Sequence, residues 1–312
     1  MATEARASAR PVLVTGTHRS GTTWTGKMLS ASPVFGYIHE PFRPDYRPGI
    51  CRVACPHWFQ YVCEENAAAY RDAFGQTIGF HYDHRAELPS LRTPRDVLRM
   101  CRDSYNFFRW RHTGKRPLVK DPIALLSAEW LASEFDMLVV VLIRHPAAFA
   151  ASLLRKHFRF PFRDLLDQPL LMRDLLEPFR DEIGYFAAGE RPIIEEAALL
   201  WNIFHQVILD YRDRQPDWYF VRHEDLSLDP IRQFAPLFEY VDAPYDDHVQ
   251  AVIRESSRSS NRPQATGTKD RYHLNSRENI ASWKKHLDAR QVDLVRRRTE
   301  PLARQLYADD EW

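Results

Sequence analysis

Short apolar runs that end in polar turns alternate along this chain with segments whose apolar residues recur every three or four positions. VLVT at 12–15 enters the glycine-bearing turn GTHRSG, and TTWTGKMLSASP then has the spacing of a helix stopped by Pro33. PLVKDP at 117–122 and MLVVVLIRHP at 137–146 are further runs of the first kind. The second is apolar throughout and rich in β-branched residues, as a strand buried on both faces of a parallel sheet should be. WYFVRHEDL at 218–226 reads as a fourth strand. EEAALLWNIFHQVILDYRDR at 195–214 has helical spacing, and SWKKHLDARQVDLVRRRTEPLARQLY reads as a closing helix. Strands alternating with helices predict an α/β fold, a three-layer sandwich with a central parallel sheet and helices on both faces.

Two stretches fit that sheet poorly. Residues 42–116 are rich in Pro, Arg, His and aromatics, and residues 157–193 carry FRFPFRDLLDQPLLMRDLLEPF. Both are expected to be insertions over the C-terminal ends of the strands, where open α/β sheets bind ligands. Residues 1–10 are expected to be a disordered N-terminus and 11–312 one domain, with a polar stretch at 261–283 and no internal repeat.

Composition narrows the choice of partner. The 312 residues are 44% hydrophobic and 27% charged, enough for a sizeable core. A net charge of +1 leaves no overall field to attract nucleic acid, so any anion site must be a local patch. MATEARASAR lacks the apolar stretch of a secretion signal, and the longest aliphatic run, Leu138 to Ile143, is far too short to span a bilayer. The expectation is a cytoplasmic protein without a transmembrane segment. Cys51, Cys55 and Cys63, with His57 among them, raise the question of zinc, but a second compact ligand pair is missing. Ordinary thiols and no metal site are expected.

The chemistry lies at the strand ends. In VTGTHRSGTTW at 14–24, Gly16 and Gly21 have the separation of a G-x-x-x-x-G-K-[ST] phosphate loop, and Thr23 supplies the hydroxyl. Thr22 stands in the lysine slot, and the cation has moved to Arg19. Backbone N–H groups of Arg19, Ser20, Gly21, Thr22 and Thr23, with the positive end of the following helix, suit one phosphate with or without the lysine. A tight glycine turn without a ligand is the plainer alternative. In RHPAAFAASLLRKH, Arg144 ends a strand and Ser152 follows eight residues later, with Pro146 suited to a first helical turn. This pair is placed to converge on a second anion.

THRSGTTW resembles the 5′-phosphosulfate loop of sulfotransferases that use 3′-phosphoadenosine-5′-phosphosulfate (PAPS), a family with the P-loop NTPase-like architecture. The Arg144/Ser152 pair is similar to that family's 3′-phosphate site. HEPF at 39–42 and VKDP at 119–122 resemble motifs of the carbohydrate and tyrosylprotein sulfotransferases and their bacterial relatives. The resemblance implies that Glu40 is the catalytic base, with His39 and His18 as rivals, and that Lys120 contacts the transferred sulfuryl group. Pro122 stands where the cytosolic enzymes carry a catalytic histidine. The resemblance also implies that Trp24 stacks on adenine, that Lys156 lies near the 3′-phosphate, and that His223 replaces an adenine-contacting tyrosine. Ser276, Trp283 and Lys284 loosely match the last donor-binding segment, and a polar loop entering a packed helix is an equal reading for them.

The expected activity is therefore sulfuryl transfer from PAPS to a hydroxyl, without a required metal, giving 3′,5′-ADP (PAP). The acceptor is expected to be a small molecule or glycan, most readily a carbohydrate. The alternatives are a P-loop kinase using Mg-ATP on a small molecule and a noncatalytic nucleotide-binding module. Thr22 in the lysine slot and the Arg144/Ser152 pair count against the kinase.

Overall fold

Among the described residues five short strands build the sheet: β1 (Val12–Gly16), β2 (Phe35–His39), β3 (Arg116–Lys120), β4 (Leu138–Ile143) and β5 (Tyr219–Arg222). All pair in parallel in the order β2-β3-β1-β4-β5. They belong to a computed structural model that describes residues 10–45, 47–258 and 276–312. The expected disordered N-terminus thus lies outside the described residues except for Arg10, as does most of the polar stretch at 261–283.

Side chains alternate along the strands and divide the core in two. Leu13, Val119, Val139 and Val141 pack on one face, against α3 (Pro146–Arg155), α4 (Ile193–Arg214) and α8 (Ala289–Ala303). Val12, Val14, Leu118, Val140 and Leu142 pack on the other, against α1 (Thr22–Leu29), α6 (Pro230–Tyr240) and α7 (Asp247–Ser256). The expected three-layer P-loop architecture is the one observed. β1 lies at the centre, with β3 beside it in one direction and β4 in the other, so a crevice opens at its C-terminal end.

Several local expectations change. FGYIH, not recognised as a strand, forms the edge strand β2; it is short and contains a glycine, and pairing with β3 stabilises it. The run WYFVRHEDL is extended only to Arg222, and α5 (His223–Leu228) begins at the next residue. α1 ends at Leu29, four residues before Pro33. The closing helix is split: Ser282–Lys285 is a tight turn, and Asp288 starts α8 afresh in a capping box with Gln291.

Apart from Arg116, which opens β3, the stretches 42–116 and 157–193 contribute no strand among the described residues, and α2 (Pro94–His112) is the longest helix of the first. Arg43, Trp58 and Phe158 from these stretches line one cleft with Arg19 and Arg144. Cys51 and Cys55 are buried in the core, where burial pushes both thiols up. Among the described residues no three His, Cys, Asp or Glu side chains group as metal ligands. No helix among them is long and apolar enough to cross a membrane.

Candidate active site

The loop after β1 is shaped by backbone conformations that few residues accept. Gly21 has φ of 95°, and a Cβ there would run into the His223 ring. Arg19 also has a positive φ, 68°. Gly21 is the N-cap of α1 and offers no side-chain acceptor to the first-turn N–H groups; uncapped N–H groups at a helix start are the kind that suit an anion. Thr22 and Thr23 line the cleft above it. Ser20 does not: its N–H and hydroxyl both donate to the Thr17 carbonyl, at 3.2 and 2.6 Å.

Arg19 reaches sideways to donate from Nε to Ser152 Oγ at 2.9 Å, and Arg144 donates to the Arg19 carbonyl at 3.0 Å. The two anion signals of the sequence, more than a hundred residues apart, therefore form one connected group. The Arg144 carbonyl accepts from Trp201 Nε1 at 2.8 Å, which ties the strand end to α4. Lys156 and Arg155 lie on the same cleft wall. With Arg19, Arg43 and Arg144 they make, among the described residues, five cations against one carboxylate, Glu40, in a cleft of about 660 Å³. The local patch required by a nearly neutral chain is present.

Trp24 and His223 close the far end, edge-on to one another with ring centres 5.9 Å apart. Trp24 Nε1 donates to Ser256 Oγ at 3.2 Å, which holds the indole against the cleft. Burial keeps the His223 imidazole neutral, with Arg144 adding to the effect. Trp283 instead stacks on His145 inside the core, and Lys284 Nζ donates to the Trp312 carbonyl at 3.1 Å. Among the described residues of the C-terminal segment, Asn279, Ser282 and His286 line the cleft. The Ser276 side chain lies outside the described residues.

Glu40 and Lys120 meet at the ends of β2 and β3. The register pairs His39 with Lys120, and the Glu40 N–H donates to the Lys120 carbonyl at 2.9 Å. Lys120 Nζ, fully buried, forms an ion pair with Glu40 Oε1. Arg43 pairs with the other oxygen at 3.3 Å. Glu40 has φ of 47°, a conformation that costs an ordinary residue about 1–3 kcal/mol and that clusters at functional sites. Burial pushes the Glu40 carboxyl up, but Lys120, His39 and Arg43 together outweigh it and hold the group below its ordinary value. Asp121 stays in the turn, accepting from the N–H groups of Phe42 (2.7 Å) and Ile123 (3.1 Å).

The two histidines near Glu40 have different surroundings. His18 is enclosed by Phe59, Phe149 and Phe158, with no hydrogen-bond partner among the described residues at either ring nitrogen, and burial pushes its pKa down to about 3. His39 is brought down to about 4 by burial and by Lys120. A second cleft, about 640 Å³, opens beyond Glu40. Tyr37, Arg47, Arg99, Arg102, Asn106 and Trp110 are among its lining residues, and Glu40 and Arg43 line both clefts. Sequence reasoning did not single out Arg43, Trp58 or Phe158. Their segments carry no periodic pattern, and only folding brings them to the strand ends.

The sequence model described as the sulfotransferase family matches residues 11–247, well over half of the chain. No curated protein matches it in a sequence search. Among solved structures, the fold is similar to the sulfotransferase domain from the curacin biosynthetic pathway, at 13% identity and a TM-score of 0.52, covering 95% of this chain and 97% of that one. It is also similar to the sulfotransferase domain from the Synechococcus PCC 7002 olefin synthase, at 14% identity and a TM-score of 0.50, covering 96% and 94%. Those likenesses concern the fold. With the family match running through the loop, the Glu40–Lys120 pair and the Arg144/Ser152 group, the chain belongs to the sulfotransferase family.

Proposed function

We propose that this sulfotransferase uses PAPS as donor and transfers its sulfuryl group to an acceptor hydroxyl on a carbohydrate or glycan-containing molecule. The observation that carries the proposal is the position of Glu40, ion-paired with Lys120 and shared by a cationic cleft and a mixed polar and aromatic one. The first cleft fits the donor. Its glycine loop suits the 5′-phosphate, Arg144 and Ser152 suit the 3′-phosphate, and Trp24 with His223 suits the adenine. Arg19 serves both ends of that group, through its loop position and its bond to Ser152. The second cleft fits the acceptor, because aromatic faces beside Arg, Asn and Asp are what a sugar ring and its hydroxyls need.

In the transfer, the bond between sulfur and the 5′-phosphate oxygen breaks as the acceptor oxygen bonds to sulfur. Glu40 takes the hydroxyl proton, and PAP leaves. Protonation of Glu40 removes the charge that neutralises Lys120, so the ammonium then stabilises the sulfuryl and leaving oxygens. His18 and His39, with pKa values near 3 and 4, are the weaker candidates for base. Arg19, Lys120 and the loop amides supply the positive charge that magnesium supplies to a kinase, so no metal is required.

PAP should raise the melting temperature more than equimolar AMP or ATP does, since a ligand of the folded state stabilises by mass action. Arg144→Ala should erase most of the advantage of PAP over AMP. Equal stabilisation by AMP and PAP in the parent protein would overturn the donor assignment. Tighter binding of Mg-ATP than of PAP would favour the kinase.

A further inference from the structure

Five of the seven large apolar side chains left exposed among the described residues lie between positions 88 and 108: Leu88, Val97, Leu98, Tyr105 and Phe108. Four of them are on α2, where Leu98, Tyr105 and Phe108 are 71%, 63% and 59% exposed. With Val97 and the exposed Cys101 they fall on one arc of the helix, because residues three, four and seven apart share a face. The inward side is already occupied by Phe107 and Asp103, both buried. α2 therefore carries a second apolar stripe that the described residues leave uncovered.

Arginines border the stripe. Arg95, Arg102 and Arg109, spaced by seven, form an exposed row along one edge, and Arg111 lies beyond the other. The two carboxylates of α2 are turned from this arc. Asp96 closes the N-terminal capping box and pairs with Arg99 at 2.8 Å, while the buried Asp103 pairs with Arg47 and, at 2.9 Å, with Arg102. The outward face is thus apolar and cationic, without a carboxylate.

That charge pattern selects the occupant. A second copy paired through this stripe would place arginine rows together with no acid to oppose them. A folded partner would also need a groove matched to one convex helix, which a lipid surface does not. We propose that the outer face of α2 binds an anionic membrane surface, with Leu98, Tyr105 and Phe108 at the boundary of headgroups and acyl chains and the arginine row among the phosphates. Arg99 and Arg102 of α2 also line the second cleft, so docking would bring that cleft to the membrane.

Co-sedimentation with vesicles tests this, using phosphatidylcholine alone and phosphatidylcholine mixed with phosphatidylglycerol. The protein should pellet with the mixed vesicles at least about tenfold more strongly than with the neutral ones, and added salt should release it. Leu98→Glu with Phe108→Glu should abolish binding and leave the melting temperature and PAP binding unchanged. Arg95→Gln with Arg109→Gln should weaken binding to the mixed vesicles by about fivefold per arginine removed. No binding to the mixed vesicles, equal binding to both kinds, or parental binding by the Leu98/Phe108 variant would overturn the proposal. So would a dimer in light scattering that Leu98→Glu converts to monomer, since the face would then belong to a second copy.

Discussion

Glu40 combines a left-handed backbone, a buried cationic partner and a place in two clefts. Glu40→Gln keeps an oxygen to accept from Lys120 and removes the proposed base, so kcat should fall by about 10²-fold or more with little change in PAP binding. The group is held below its ordinary value of 4.5. Activity should therefore persist from neutral pH down to that value and be lost only as the pH falls further and the carboxylate protonates. Stability has the same sign: a depressed carboxylate contributes above its unfolded value and loses its contribution as pH falls through the folded one. A pH profile of kcat/KM checks both the position of the acid limb and its absence from the variant. An acid limb that persists in Glu40→Gln and disappears in His39→Ala or His18→Ala would transfer the base to a histidine. Glu40→Ala is a harsher change. It leaves the Lys120 charge buried without its main partner and should cost about 3–5 kcal/mol in denaturant unfolding.

At the scale of elements, α1 does more than present its N-terminus. Gly26, in its middle, lies over the lysine stem: a Cβ there would stand 2.9 Å from Lys120 Cγ and 3.2 Å from the Tyr37 ring. A glycine inside a helix ordinarily costs about 0.5–1 kcal/mol against alanine, and here it leaves the space through which Lys120 runs toward Glu40. Gly26→Ala should therefore destabilise the protein by about 1–3 kcal/mol through overpacking, despite its better helix propensity. It should also lower kcat more than it weakens PAP binding, because it displaces the lysine and not the loop. Thermal unfolding and steady-state kinetics read the two effects separately. A more stable Gly26→Ala variant with parental kcat would show that the lysine has room to spare.

Over the whole molecule, the C-terminal segment closes back on the strand ends. Tyr307 donates to Glu224 Oε2 at 3.0 Å, and the other Glu224 oxygen accepts from the His145 N–H at 3.1 Å, next to Arg144. His145 is surrounded by the rings of Trp283, Tyr307 and Trp312. Tyr307→Phe leaves a buried carboxylate oxygen without that donor and should cost about 1–3 kcal/mol in chemical denaturation. PAP binding should weaken in the same variant, because the corner that carries Arg144 loses part of its support. Titration of PAP by calorimetry measures this. With PAPS as donor, turnover should also survive excess EDTA; complete loss restored by magnesium would contradict a site whose positive charge comes only from side chains and amides.

The alternation of apolar runs and helical repeats determined the parallel α/β class by itself, because strands buried on both faces must be apolar throughout and helices between them must be amphipathic. The glycine spacing of the loop and the strand-end position of Arg144 were equally local, since turns and helix starts depend on neighbouring residues. β2 was not legible: FGYIH has too few residues to carry a period, and it is a strand only because β3 lies beside it. Resemblance named Glu40 and Lys120 separately, whereas their ion pair joins residues eighty apart and follows from the register of β2 with β3. The sideways reach of Arg19 to Ser152, the enclosure of His18 by phenylalanines and the approach of Trp58 and Phe158 to the cleft were likewise tertiary. Such contacts join segments whose intervening lengths carry no record of where they meet, so packing alone decided them.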